Sequence, residues 1–505
     1  MSQPRLPSGR LASGPKGAVA AGHPLAATAG LRMLEAGGTA VDACLAAAFA
    51  AWVVMPDMCG LGGDLFLLSR AADGTMTAIT GGGPAPAAGY PPRTEARATL
   101  ALVPGAAAAL DCLRETQATL PLDMLLAPAI RLAQDGFVIS AMLARKIEGL
   151  PPDRFRDELL VGWEGAAPRA GAVVRWPVLA QSLRRLATAK SAREILLDAL
   201  PEWQARGALL QPEDIAGYTV AGEAPLRMSI GGWTVFGQPP MSQAVATLGA
   251  LGRAGIDAVI DSDDAFRTHM LVEGYKRAFA NLEGFGHAGD IAAVCRRLLD
   301  PAAARAEREA IGPQASEGPP LQRNYGETTQ CAAVDRSGAT VSLIHSLYRP
   351  FGARVLSPRT GLIANDRGAS FTAGANAPAA GQRPRHTLVN LLALAPDGAI
   401  FALGTPGAQA QTQTTLQVLA SLIARPDALV EAVRSPRWSF IGGKRVACEA
   451  DLDEAMLQAL ARHGHEIALR PPRDWLMGSV SLAAYRDGLC YAVADDRRDA
   501  LALAT

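Results

Sequence analysis

The chain has 505 residues, 49% apolar and 19% charged. That is enough for a large buried core, in roughly two to four domains or one large two-part α/β unit. Formal charge is zero, from 48 basic and 48 acidic residues, so nothing draws the chain to nucleic acid or to an anionic membrane. Seven scattered cysteines, without a C-x-x-C pair and odd in number, argue against a full disulfide framework.

The start, Met1-Ser2-Gln3-Pro4-Arg5-Leu6-Pro7, lacks the apolar core of a signal peptide. The longest apolar run, Ala43 to Met55, is too short to span a bilayer. Cytoplasm is the compartment these features suggest. Gly17–Ala21 reads as a strand broken by His23-Pro24. A helix from about Leu25 to Ala36 ends at Gly37-Gly38, and a second runs from Asp42 to Val54. Gly60-Leu61-Gly62-Gly63-Asp64 leads into a buried strand, Leu65–Leu68. These glycines precede a strand and do not match G-x-G-x-x-G, so they are not a dinucleotide loop. Further on come a helix start at Pro212-Glu213-Asp214, a strand at Trp233–Phe236 and a helix carrying Glu273 and Lys276. Leu298 to Gln322 is polar, rich in Ala and Pro, and reads as a surface segment.

Glu327-Thr328-Thr329-Gln330 opens a strand that runs to Asp335. Arg336-Ser337-Gly338 forms a turn, and a second strand covers Ala339–Ser346. If Asp335 faces Ala339, Ser346 lies opposite Thr328. A second hairpin pairs Leu388–Leu394 with Ala399–Leu403 around Pro396-Asp397-Gly398. Gly404–Ala408 follows, then a helix from about Gln409 to Ile423.

A threonine hydroxyl is a poor nucleophile without an adjacent base. At a chain terminus its own α-amine, titrating near about pH 8, supplies one. Thr328 could reach that state only if the bond after Glu327 were cut.

Asn324-Tyr325-Gly326-Glu327-Thr328-Thr329-Gln330, the hairpin, Phe351-Gly352 and Gly361–Asn365 resemble the γ-glutamyltransferase family. The resemblance implies a self-cleaving precursor with Thr328 as its nucleophile and Ser346 as an assisting hydroxyl. It implies a four-layer αββα sandwich of the N-terminal nucleophile hydrolase type, mixed α/β in class. The cut divides the chain into a large subunit, 1–327, and a small one, 328–505, which together make one globular unit. The family's oxyanion loop corresponds to Gly407 and Ala408, ahead of a helix N-terminus. The resemblance implies no cofactor and no metal. Whether processed heterodimers associate further is left open.

Departures from the family concern the substrate. Tyr90 and Pro91 fall where an arginine grips the γ-glutamyl α-carboxylate, with Arg93 nearby but out of register. Ser370 replaces the carboxylate that holds the α-ammonium, Tyr348 replaces an Asn, and His386-Thr387 replaces a serine pair. The loop from Phe371 to Gly381 is short, so the family's lid over the site is absent from the pattern. Arg367 and Arg385 remain as cations for a substrate carboxylate. The pattern resembles the lid-less branch that includes oxamate amidohydrolases and some acylases. It implies a small-molecule amide whose acyl group is acidic and lacks the amine. Glutathione and other γ-glutamyl compounds are the alternative, as is a catalytically inactive binding protein on the same fold. No G-x-S-x-G elbow occurs, and His463-x-His465 has no sequence partners for a metal site.

Overall fold

A computed structural model describes residues 11–91, 96–165, 169–321 and 326–505. Arg93, Gln322, Asn324, Tyr325 and the stretch Met1–Pro7 lie outside the described residues. Two antiparallel sheets form the centre. One has six strands, in the spatial order Leu501–Ala504, Gly17–Ala21, Glu327–Asp335, Thr340–Tyr348, Asp64–Arg70 and Met76–Gly81. The other has seven and includes Trp233–Gly237, Asn390–Leu394, Ile400–Gly404, Ser481–Arg486 and Leu489–Ala494.

Strand periodicity builds the layers, because successive side chains point to opposite faces. Ala332 and Val334 face Leu392, Ala402, Ala483 and Ala492 of the other sheet. Their neighbours Cys331 and Ala333 face outward, under the helices Pro24–Glu35 and Ala40–Val54. On the far sheet Leu391 and Leu403 face outward, under Ala244–Ala254 and Ala410–Ala424. The result is helix, sheet, sheet, helix, and the expected αββα sandwich is the architecture observed. Most side chains in the inter-sheet layer are alanines, small residues for two sheets packed face to face.

Local signals account for the helix ends. Thr39 caps Ala40–Val54, and Asp42 reciprocates by accepting from the Thr39 N–H at 2.8 Å. Asp42 therefore lies inside the helix, which begins two residues earlier than the apolar pattern suggests. The 298–322 segment is more than a surface strap. It contains the helix Pro301–Glu309, capped by Asp300, and buries Ala304 and Ala315.

The hairpin at Asp335 has the expected turn. Asp335 N–H donates to Ala339 O at 3.0 Å, and Gly338 takes φ +80°. Pairing runs in that register from Val334↔Thr340 to Thr329↔His345, then shifts by one residue so that Glu327 faces Tyr348. All seven cysteines are free. No helix among the described residues is long and apolar enough to cross a membrane.

The inter-sheet layer yields a direct test. Ala332→Leu inserts methyl groups where the opposing sheet, at Leu392, Ala402 and Ala483, packs against this face. It should lower stability by about 1–3 kcal/mol in a denaturant titration. An unchanged midpoint would mean that this face does not pack on the second sheet.

Candidate active site

Thr328 lies at the first turn-in of its strand and is 1% exposed. Its hydroxyl donates to Ser346 Oγ at 3.3 Å. Ser346 Oγ in turn donates to the carbonyl oxygen of Glu327 at 2.6 Å, and accepts from Tyr348 N–H at 2.8 Å. One hydroxyl thus bridges the candidate nucleophile and the carbonyl of the peptide bond just before it. The shift in strand pairing occurs here, between His345 and Tyr348. Tyr348 takes φ +79°, a left-handed backbone that is unusual for a bulky residue and recurs at functional sites.

The Glu327 side chain is clamped. Lys146 Nζ and Arg498 Nη1 both contact its carboxylate, the latter at 3.2 Å. Both cations also lie over the Trp475 ring, at 4.6 and 5.3 Å. Asp57 sits in the same field. Burial, reinforced by the Glu327 charge, pushes its carboxyl up to about 7, and its Oδ2 has no partner among the described residues. Sequence reasoning missed Lys146 and Asp57, since nothing local marks them. Arg498, in Asp495-Asp496-Arg497-Arg498-Asp499 near the C-terminus, lies 171 positions from Glu327.

Gly407 and Ala408 form the loop between Ile400–Gly404 and Ala410–Ala424, with φ +126° and +51°. The left-handed Ala408 costs about 1–2 kcal/mol. Neither backbone N–H has a hydrogen-bond partner among the described residues, as an anion-receiving loop requires. A Cβ on Gly326 would lie 3.2 Å from that of Ala408, so the loop abuts the chain two residues before Thr328. From the helix that follows, Gln411 Nε2 reaches Thr328 Oγ1 at 3.4 Å, while its Oε1 accepts from Val389 N–H at 3.1 Å. Gln411 was not foreseen. Its position one turn after the loop was the available signal.

The candidate substrate residues separate into two groups. Ser370, Arg385 and Thr387 line one cavity of about 430 Å³, closed on another side by Pro320, Leu321 and Gln409. Among the described residues Arg385 has no carboxylate partner; its Nη2 donates to Thr372 Oγ1 at 3.2 Å. The Ser370 hydroxyl is spent on Arg367 O at 2.7 Å. Tyr348, Arg367 and His386 form a fully buried group instead. Arg367 Nε donates to Asp64 Oδ2 at 2.6 Å, and its guanidinium lies 4.6 Å over the Tyr348 ring. Its two terminal nitrogens have no partner among the described residues. Burial raises the Asp64 carboxyl although Arg367 opposes it. His386, beside Phe66, makes no ring-nitrogen hydrogen bond among the described residues. Burial, then the Arg367 charge, hold it neutral. Tyr90 covers the turn: a Cβ on Gly368 would lie 1.8 Å from its oxygen.

His463 and His465 do find partners in space. His465 Nε2 contacts His269 Nδ1 at 2.9 Å near Glu273, a set that could ligate a metal. Glu273 is already saturated by Lys276 Nζ at 2.7 Å and by Ser316, so the cluster is accounted for as a hydrogen-bond network that anchors 312–316.

A family model described as Gamma-glutamyltranspeptidase matches residues 26–505. The chain belongs to this family. It is 31% identical to an oxamate amidohydrolase proenzyme of Klebsiella pneumoniae subsp. pneumoniae, over 96% of this chain and 98% of that one. It is 32% identical to an acylase proenzyme of a Pseudomonas species, over 97% of this chain and 93% of the other. In structure it is similar to a cephalosporin acylase from Bacillus halodurans, with TM-score 0.88 and 28% identity, covering 100% of this chain and 99% of that one. Membership makes the protein an enzyme of the amide-hydrolysing and acyl-transferring class.

Asp57 gives the site a pH signature. Its folded carboxyl is raised from 3.8 to about 7, so the native state binds a proton that the unfolded state has lost between those values. Its stabilising protonation is complete below about pH 4 and is lost as pH rises through about 7. In the uncut Thr328→Ala protein, Asp57→Asn should therefore raise the melting temperature more at pH 8 than at pH 5. Parallel melting curves across that range would contradict the assignment.

Proposed function

We propose that this enzyme is a self-processing N-terminal threonine amidohydrolase that acts on amides of small, carboxylated acyl groups lacking an α-amine. The observation that carries the reading is the hydrogen-bond run from Thr328 Oγ1 through Ser346 Oγ to Glu327 O. Thr328 Oγ1 attacks the Glu327 carbonyl carbon, and a C–O bond forms as the C–N bond breaks. The hydroxyl proton enters the relay, Ser346 delivers hydrogen-bond density to the developing oxyanion, and a proton ends on the released amine. Water then hydrolyses the ester, leaving Glu327 as a carboxylate and Thr328 as a free amino terminus.

In the processed enzyme the α-amine of Thr328 takes the proton of its own hydroxyl. Gly407 and Ala408 donate to the oxyanion, and the first product amine leaves before water releases the acid. Of the two candidate cations, Arg385 suits the acyl carboxylate better, because it faces the cavity and has no carboxylate partner among the described residues. Arg367 is tied to Asp64 and acts behind that wall. Among the described residues no carboxylate in the cavity lining is available to an α-ammonium near Ser370. A buried unpaired ammonium costs several kcal/mol, roughly the whole binding energy of a small donor.

Purified wild type should run as two pieces, of 327 residues and 505 − 327 = 178 residues, and Thr328→Ala as one. Ser346→Ala should still fold but cut itself at least about tenfold more slowly. A fully active single chain would sink the reading. On processed enzyme, Arg385→Met should raise KM for acid amides at least about tenfold and leave kcat nearly unchanged, the mark of lost ground-state binding. A preference for the aminated member of a glutaryl and γ-glutamyl amide pair would instead favour an ordinary γ-glutamyl enzyme.

A further inference from the structure

A second cavity, of about 390 Å³, opens beside the oxyanion loop. Gly407 and Gln409 form one wall. The opposite wall is the small sheet of Trp438–Phe440, Arg445–Glu449 and Glu466–Arg470. We propose that this cavity receives the amine half of the substrate, and that this half is a bulky apolar or aromatic amine. The inference rests on Thr328 being the nucleophile and on Arg385 holding the acyl carboxylate.

The lining carries the chemical argument. Phe440, Ile441, Ala468, Leu469, Leu476 and Met477 are its apolar side chains beside Leu321 and two alanines. Among the described residues no carboxylate lines it, so a charged ammonium would find no partner there. Gln409, Gln413, Ser439, Arg445 and Arg470 are its polar side chains; Gln413 is committed on both atoms to the Phe440 backbone, at 2.7 and 3.1 Å. Arg470 is paired with Asp474 at 2.7 Å. An apolar guest therefore covers the apolar side of the cavity without breaking the Gln413 and Arg470 contacts. Leu469, 63% exposed, stands at the mouth and gives a path to solvent.

Position assigns the half. Leu321 and Gln409 border both this cavity and the one that holds Arg385. A bound amide whose carbonyl oxygen reaches the Gly407 loop must send its two substituents into these two spaces. The acid end belongs with Arg385, so the amine end faces Phe440 and Met477. Leu321, six residues before Glu327, already sets an apolar side chain at this junction. In turnover the amide C–N bond breaks here, the amine leaves with a proton, and water completes the acid.

The test compares N-methyl and N-benzyl glutaramide on processed wild-type enzyme, with a cavity-filling variant as the control for benzylamine being the less basic leaving group. The benzyl amide should show kcat/KM at least about tenfold higher, in line with filling an apolar pocket. Ala468→Trp fills the cavity and should remove most of that preference, by lowering kcat/KM for the benzyl amide more than for the methyl amide. Processed wild-type enzyme that turns over both amides equally overturns this inference and leaves the role of Thr328 standing. An uncut chain that turns over neither overturns both.

Discussion

The hydrogen bond from Ser346 to the Glu327 carbonyl is the contact on which the rest of the site depends. A peptide carbonyl in a strand would ordinarily accept from a backbone N–H of its neighbour. Here the pairing shifts between His345 and Tyr348, and a side-chain hydroxyl takes that place. The same hydroxyl accepts from Thr328 and from Tyr348 N–H. Its one proton and two lone pairs are all used, so the geometry is over-determined. The strained backbone at Tyr348 accompanies that arrangement.

Around this contact the molecule manages charge at considerable cost. Glu327 is nearly buried, and two cations stacked on Trp475 hold it in place. Removing either would leave a buried charge poorly matched, which is far more destabilising than losing a surface pair. Behind the substrate cavity, Asp64 and Arg367 neutralise each other, and His386 stays uncharged beside them. The result is a rigid, mostly neutral back wall with Arg385 as the cation that fronts the cavity. The proposed anchoring of an acid and exclusion of an amine both rest on this arrangement.

Much of the fold was legible in the sequence because it rests on short-range signals. Gly17–Ala21 has the bounds its composition suggests, and Gly338 and Gly398 take the positive φ that their turns demand. The spacing of Asp335 and Ala339 was enough to bring Ser346 to Thr328. The bulge was not legible, since it depends on how Tyr348 meets Glu327 across two strands. Likewise Lys146 lies 181 positions from Glu327 and Asp64 lies 303 from Arg367. Neither pair has a local pattern, and only the sandwich brings them together. Sequence alone treated Arg367 and Arg385 as equivalent cations. They differ because one is buried and bound to Asp64, at the start of an inner strand, and the other faces open space.

Peptide mapping of protein quenched with acid during turnover of a slow glutaryl amide tests the central claim most directly. A new amino terminus at Thr328 and a glutaryl adduct on that residue's side chain are expected. An adduct on any other residue, or turnover by a chain still intact between Glu327 and Thr328, would contradict it.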